Sequence, residues 1–255
     1  MHVKAMPAEL QVPHIRLKCD ACPIRYRAVC ARCEGDDLER LDQTKYNRSY
    51  QAGQVIVWAG DRMDFVASII RGVASMTQTL DDGRTQMVGL LLPSDFLGRP
   101  GREAASYTVT AVSDIELCCF RRKPFEALMM SNPRIPARLL EMTLDELDAA
   151  REWLLLLGRK SAREKIASFL AVLARRDAAL NCERAHGEMS LTLPLSREAI
   201  ADYLGLTLET VSRQMTALKR AGLIELQGKR GVVLNDYDRL VNESGDEAEQ
   251  PVTLN

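Results

Sequence analysis

The stretch that most constrains this chain lies near its end. Residues 196–213 read Ser-Arg-Glu-Ala-Ile-Ala-Asp-Tyr-Leu-Gly-Leu-Thr-Leu-Glu-Thr-Val-Ser-Arg. Pro194 and Ser196 open a helix, with Ser196 a suitable N-cap and Glu198 favourable in the first turn. Ile200, Ala201 and Leu204 share its apolar face, and Gly205 supplies the residue that ends a helix in a tight turn. Thr207 can cap a second helix, in which Leu208, Val211, Met215 and Leu218 recur at helical spacing as a core face. Glu209, Ser212, Arg213 and Thr216 repeat the same spacing on another face. Two short helices about a glycine turn predict a helix-turn-helix. Residues 223–226, Gly228 and residues 232–234 then read as a two-stranded wing.

The polar stripe has the chemistry of a groove reader. Arg213 can bond a guanine edge through two donors, Glu209 can accept from a cytosine amino group, and Ser212 can serve either role. Phosphates repel an acid on such a helix, so Glu209 is tolerable only if it points at bases. Lys219, Arg220, Lys229 and Arg230 stand where they could hold phosphates, and Thr207, Thr210 and Arg197 complete the predicted DNA-binding set. The formal net charge of -1 conceals this region. Residues 159–231 carry 13 Lys and Arg against 8 Asp and Glu, whereas residues 236–255 carry 6 acids against Arg239 alone. A basic module followed by an acidic, solvated tail suits a double-stranded DNA partner.

Upstream, residues 46–123 alternate short apolar runs with turns, as in residues 55–58, 65–70 and 87–92. Asp82-Gly83 between Met76-Thr77 and Gln86-Met87 signals a hairpin. Strands at this density predict a β-barrel or β-roll. A long helix follows over residues 136–157, with Leu140, Thr143, Leu147, Ala150, Leu154 and Leu157 at alternating three and four spacing. That is the seam of a two-helix coiled coil, flanked by Arg138, Glu141, Asp145, Asp148 and Arg151. The seam could pack on its own domain, but between two domains it predicts pairing with a second copy. Gly158 is expected to break this helix, and Ser161 to start another.

Seven cysteines are the remaining chemical signal. No apolar core of an export signal precedes them and no apolar run approaches the roughly 20 residues of a membrane span. A cytoplasmic protein without a disulfide scaffold is therefore expected. Cys19, Cys22, Cys30 and Cys33 show C-x2-C-x7-C-x2-C spacing in an otherwise patternless, basic lead segment that something besides a core must hold. Such thiolates suit either zinc, which would use all four locally, or an iron–sulfur cluster, which could draw one from elsewhere. Spacing leaves both open. The three histidines, His2, His14 and His186, are scattered, so no acid–base pair suggests an enzyme and none is placed for haem.

Taken together, the β-roll, long helix and residues 195–231 resemble the CRP/FNR family of bacterial regulators. The similarity is greatest to the FNR-type, FnrL-like, oxygen-responsive iron–sulfur regulators of alphaproteobacteria; Cys22-Pro23-Ile24-Arg25 and residues 92–96 add to it. The resemblance implies an α+β fold: an N-terminal cyclic-nucleotide-binding-like β-roll, a long dimerisation helix and a C-terminal winged helix-turn-helix. It implies a homodimer that binds a [4Fe–4S] cluster and, with the cluster intact, reads palindromic TTGAT-like sites through Glu209, Ser212 and Arg213. RNA polymerase is then an expected partner, and activation or repression of anaerobic genes the expected outcome. The family takes three ligands from the lead segment and one from the β-roll, which places Cys19, Cys22, Cys30 and Cys118, with Cys33 a rival for Cys30. Cys119 alternates to the other strand face, and Cys182 falls in a linker-like stretch. The resemblance further implies that oxygen shrinks the cluster, loosens the lead segment and weakens the dimer. Ala150 makes the seam more apolar than in some members, so a constitutive dimer controlled by helix orientation is the alternative. Residues 99–104 lack the glutamate-plus-arginine arrangement that a cyclic nucleotide needs. The expected partition is 1–35 cluster-binding segment, 36–133 β-roll, 134–158 dimerisation helix (Leu140, Leu147, Ala150, Leu154, Leu157), 159–238 winged helix-turn-helix and 239–255 acidic tail.

Overall fold

A computed structural model of the chain describes residues 18–246. Two four-stranded antiparallel sheets form the first body. One contains β1 (Lys45–Tyr50), β3 (Phe65–Arg71), β6 (Phe96–Leu97) and β8 (Ile115–Arg121), in the order β1-β8-β3-β6. The other contains β2 (Val55–Val57), β4 (Ala74–Thr79), β5 (Thr85–Leu91) and β7 (Thr108–Ala111), in the order β2-β7-β4-β5. Ala67, Ile69, Leu117 and Cys119 from one sheet meet Val57, Ala74, Val109 and Ala111 from the other in a shared core. The β4–β5 hairpin turns at Asp82-Gly83 as expected, with Asp82 accepting from the Arg84 amide at 3.1 Å. Gly72 closes the β3–β4 corner at φ +81°, where an added Cβ would lie 2.2 Å from the Asp114 carbonyl oxygen. No other residue fits there.

Strand alternation gives the first sheet a second working face. Leu117 and Cys119 point into the β-roll core, so their neighbours Glu116, Cys118 and Phe120 face outward. The register sets Cys118 opposite Asn47 on β1 and Ser68 on β3, and Phe120 opposite Lys45 and Val66. Onto this face packs the lead segment, a single 3-10 turn at Cys19–Ala21 and a series of turns, followed by α1 (Asp36–Thr44). Ile24, Ala28, Val29 and Cys33 are buried there. The expectation that a core takes no part in holding this segment is corrected: four small or branched apolar side chains supply one.

After α2 (Arg122–Ser131), the long helix α3 runs Arg134–Arg159. Ile135, Leu139 and Met142 pack on the lead segment and β-roll, while Trp153 and Leu156 pack on the C-terminal body. The opposite stripe is open: Leu140, Leu144, Leu147 and Leu154 are 60%, 53%, 46% and 71% exposed, and Thr143 and Ala150 are exposed beside them. Leu157, expected in the seam, is half-buried and turns toward the C-terminal core. Gly158 does not break the helix, which continues to Arg159; one glycine costs about 1 kcal/mol against alanine, less than the packing of Leu156 and Leu157 returns.

The C-terminal body contains α4 (Ala162–Leu180), β9 (Met189–Thr192), α5 (Arg197–Leu204), α6 (Leu208–Arg220), β10 (Ile224–Gln227), β11 (Gly231–Leu234) and α7 (Tyr237–Glu243). Ser161 and Glu164 form a reciprocal capping box at the start of α4. The wing is a three-stranded sheet, β10-β11-β9, because Leu191 pairs across to Val232. The acidic tail expected from residue 239 starts later. Asp236 caps α7 by accepting from the Arg239 amide, and Leu240 and Val241 are buried against the core. Residues 247–255 of that tail, like residues 1–17 of the lead segment, lie outside the described residues.

Candidate metal centre and nucleic-acid interface

A cavity lies between the lead segment and the outer face of the first sheet. Cys19, Cys22, Cys30 and Cys118 line it, with Ile24, Ala28, Val29, Leu41, Ile70 and Phe120 as apolar wall and Lys45, Asn47 and Ser68 as the polar side chains. Cys33 is not on this lining. It is fully buried behind that wall, in an apolar cluster with Val29, Leu41, Val66, Phe120, Phe125 and Ile135, against which Cys30 and Cys118 also pack. Cys119 is fully buried in the β-roll core, as alternation requires, and Cys182 is exposed in the turn after α4.

The lead segment keeps its shape through Arg25. Its buried guanidinium donates to the carbonyls of Cys30 at 2.7 Å, Ala31 at 3.2 Å and Cys33, cross-linking the turn that carries the third thiol. Asp42 of α1 accepts from the Cys19 amide at 3.2 Å and pairs with Lys45 at 2.7 Å. Lys45 in turn donates to the Cys19 sulfur at 3.2 Å. Burial pushes the Cys19 thiol up to about 11 and the Cys30 thiol to about 12, and lifts Cys22 and Cys118 as well. Thiols so placed stay protonated at neutral pH unless a cation displaces their protons. They ring the cavity; among the described residues no three Cys, His, Asp or Glu side chains converge closely enough to share one ion. The hydroxyl oxygen of Ser68 is enclosed with no hydrogen-bond partner among the described residues.

At the other end of the chain, Ser196 accepts from the Ala199 amide to cap α5, and Gly205 ends it at φ +63°. Thr207 accepts from the Thr210 amide at 3.2 Å, and the two hydroxyls lie 2.9 Å apart. Both predicted threonines thus shape the start of α6. Val211, Met215 and Leu218 are buried under α6, while Glu209, Ser212, Arg213 and Thr216 are exposed on its outer face; Leu208, expected on the core face, is instead exposed in the first turn. Lys219 and Lys229 are exposed. Arg230 donates to the Pro194 carbonyl at 3.0 Å, tying the wing to the start of α5. Arg197 departs from the expected exposed set: it is half-buried, and one guanidinium nitrogen is enclosed without a partner among the described residues.

The sequence reading missed the contacts between these regions. Arg138, expected to flank the seam, donates to the Arg27 carbonyl at 2.6 Å, and Glu141 pairs with Arg32. Both therefore tie α3 to the cysteine segment. Arg27 also donates to the Ala179 carbonyl at the end of α4 at 3.2 Å. Elsewhere Trp153 of α3 stacks on Tyr203 of α5 with ring centroids 4.1 Å apart, and Asp95 of the β-roll pairs with Arg176 of α4 at 2.7 Å. Only Trp153, aromatic on an otherwise aliphatic helix, hinted at this from sequence.

Comparison with known proteins agrees with the β-roll and the helix-turn-helix. Residues 47–132 match the model of the cyclic nucleotide-binding domain, and residues 164–243 that of the Crp-like helix-turn-helix domain. The chain is 64% identical over 239 residues to the transcriptional activator protein FnrL of Cereibacter sphaeroides, covering 94% of this chain and 96% of that one. It is 36% identical over 208 residues to the nitrogen fixation regulation protein FixK of Bradyrhizobium diazoefficiens, covering 82% and 86%. The solved structure of FixK2 from Bradyrhizobium japonicum superposes with a TM-score of 0.69 at 31% identity, over 81% of this chain and 99% of that one. The chain belongs to the CRP/FNR family of DNA-binding transcription regulators, and it has that family's fold. It is a regulator and not an enzyme, and no helix among the described residues is long and apolar enough to cross a membrane.

Proposed function

We propose that this protein is a cytoplasmic, oxygen-responsive transcription regulator whose Cys19, Cys22, Cys30 and Cys118 hold a [4Fe–4S] cluster. The single observation that carries this reading is the cavity they share, because it joins three thiols of the lead segment to one on β8, about a hundred residues away. The donor set fits the group: four sulfurs, an apolar wall, a cation beside one sulfur and an unpartnered hydroxyl facing in. A closed zinc site made from the four local cysteines is disfavoured, since Cys33 does not line the cavity that the other three share with Cys118. When bound, the cluster supplies a four-point tether that oxygen can damage.

The chain's own residues extend that tether to the dimer helix. With the segment docked, the Arg27 carbonyl and Arg32 hold Arg138 and Glu141, fixing one face of α3 while its leucine stripe faces outward. A second copy covers that stripe. These leucines are 46–71% exposed, so covering each returns roughly half of the 1.5–3 kcal/mol of full burial, and four from each helix together fall within the association cost of roughly 4–15 kcal/mol. Pairing then holds two α6 helices about one helical turn of DNA apart, so that Glu209, Ser212 and Arg213 read the halves of a TTGAT-like palindrome. Lys219 and Lys229 hold phosphates, while Thr207 and Thr210 set the start of the reading helix. RNA polymerase is the downstream partner, and the bound dimer activates or represses. The test is to expose anaerobically purified protein to air while following the chromophore and the affinity for a palindromic duplex. The two should fall together.

A further inference from the structure

We infer that Ser68 and Lys45 are hydrogen-bond donors to the sulfurs of the bound cluster and set its reduction potential; this rests on the cluster reading above. Ser68 lies in the middle of β3, 2% exposed, directly across from Cys118. Residues opposite one another on antiparallel strands project to the same face, so its hydroxyl and the Cys118 sulfur enter the cavity side by side. A buried hydroxyl is nearly always hydrogen-bonded, and leaving it bare costs free energy. A hydrophobic residue would fill this β3 position without that cost, as Val66 and Ile70 do two positions to either side. The hydroxyl therefore has a use only when an acceptor occupies the cavity, and sulfur is the acceptor the four thiols would bring there.

Lys45 supplies the second donor from β1, on the other side of β8 in the same sheet. Its ammonium already reaches the Cys19 sulfur at 3.2 Å, and Asp42 holds it in that position at 2.7 Å. Four thiolates around a cluster bring net negative charge into an apolar enclosure, which a buried cation offsets. Hydrogen bonds to cluster sulfurs stabilise the reduced state, which carries more negative charge, and so raise the potential. Asn47, the other polar lining residue, directs one amide N–H to Glu116 at 2.9 Å.

The experiment uses the full chain, reconstituted without air with iron and sulfide, as wild type, Ser68→Ala, Ser68→Thr and Lys45→Gln. Ser68→Ala should load the cluster but shift the mediated redox titration to more negative potential, and shorten the chromophore's life in air roughly five-fold, the worth of one such bond. Ser68→Thr keeps the hydroxyl and should restore both. Lys45→Gln should shift the potential further in the same direction. The iron-free protein gives the opposite sign: there Ser68→Ala removes an unmet hydroxyl and should raise Tm by about 2–4 °C. A folded Ser68→Ala that takes up no iron, beside a loading Ser68→Thr, would support the donor role in stronger form. Wild-type potential and air lifetime in both Ser68→Ala and Lys45→Gln would overturn it. A wild type that loads no cluster would instead sink the parent reading.

Discussion

The reading helix and the cysteine cavity sit at opposite ends of the same chain, and they differ in how complete they are. Around α5 and α6 each helix start carries its own cap, the glycine turn is in place and Ile200, Leu204, Val211, Met215 and Leu218 are buried. Around the cavity a hydroxyl lacks a partner and four thiols are held protonated by burial. The first region can grip a ligand as it stands. On the proposed reading the second is finished only by the cluster, and regulation then belongs to the region whose stability depends on its occupant.

The strongest way to break this contrast is to remove a cavity thiol and spare its neighbours. Cys118→Ser should abolish the brown chromophore of anaerobically purified protein, while Cys33→Ala should keep it, as followed by absorbance and iron assay. Loss in Cys33→Ala with retention in Cys30→Ala would reverse the choice of third ligand. Next in size is the seam. Leu147→Glu should leave a monomer in sedimentation and lower affinity for a two-site duplex by roughly 100-fold or more, since bivalency is lost.

Smaller effects should separate the regions further. Arg213→Ala should cost about 1–3 kcal/mol on a matched site and relax preference at one base pair, whereas equal loss on every sequence would make Arg213 a phosphate contact. Thr207→Ala should lower stability by about 1 kcal/mol through loss of the α6 cap, with no change in the chromophore. If it altered the cluster, the α6 cap would be coupled to the cavity through the contacts that join the two bodies.

Legibility in the sequence follows the range of the interactions. The helix-turn-helix is spelled by neighbours: Ser196, Gly205 and Thr207 fix its ends, and three-four spacing assigns its faces. Cys118 and Cys119 were separable because a strand alternates its side chains, whatever it packs against. Contacts across long separations were silent. Ser68 reads as one polar residue in an apolar strand until its register with Cys118 is known. Arg138 and Glu141 read as seam flanks until the lead segment is seen to use them. Asp236 followed by Leu240 and Val241 did carry a local helix signal, masked by the acidic composition around it. Gly158 carried a break signal that tertiary packing overrode.

The most direct test joins both regions in one sample. Protein purified without air should be brown, carry about four iron and four sulfide per chain, and bind its palindrome tightly, losing colour and affinity together on aeration. Colourless protein whose grip on the duplex is the same before and after air would contradict the account.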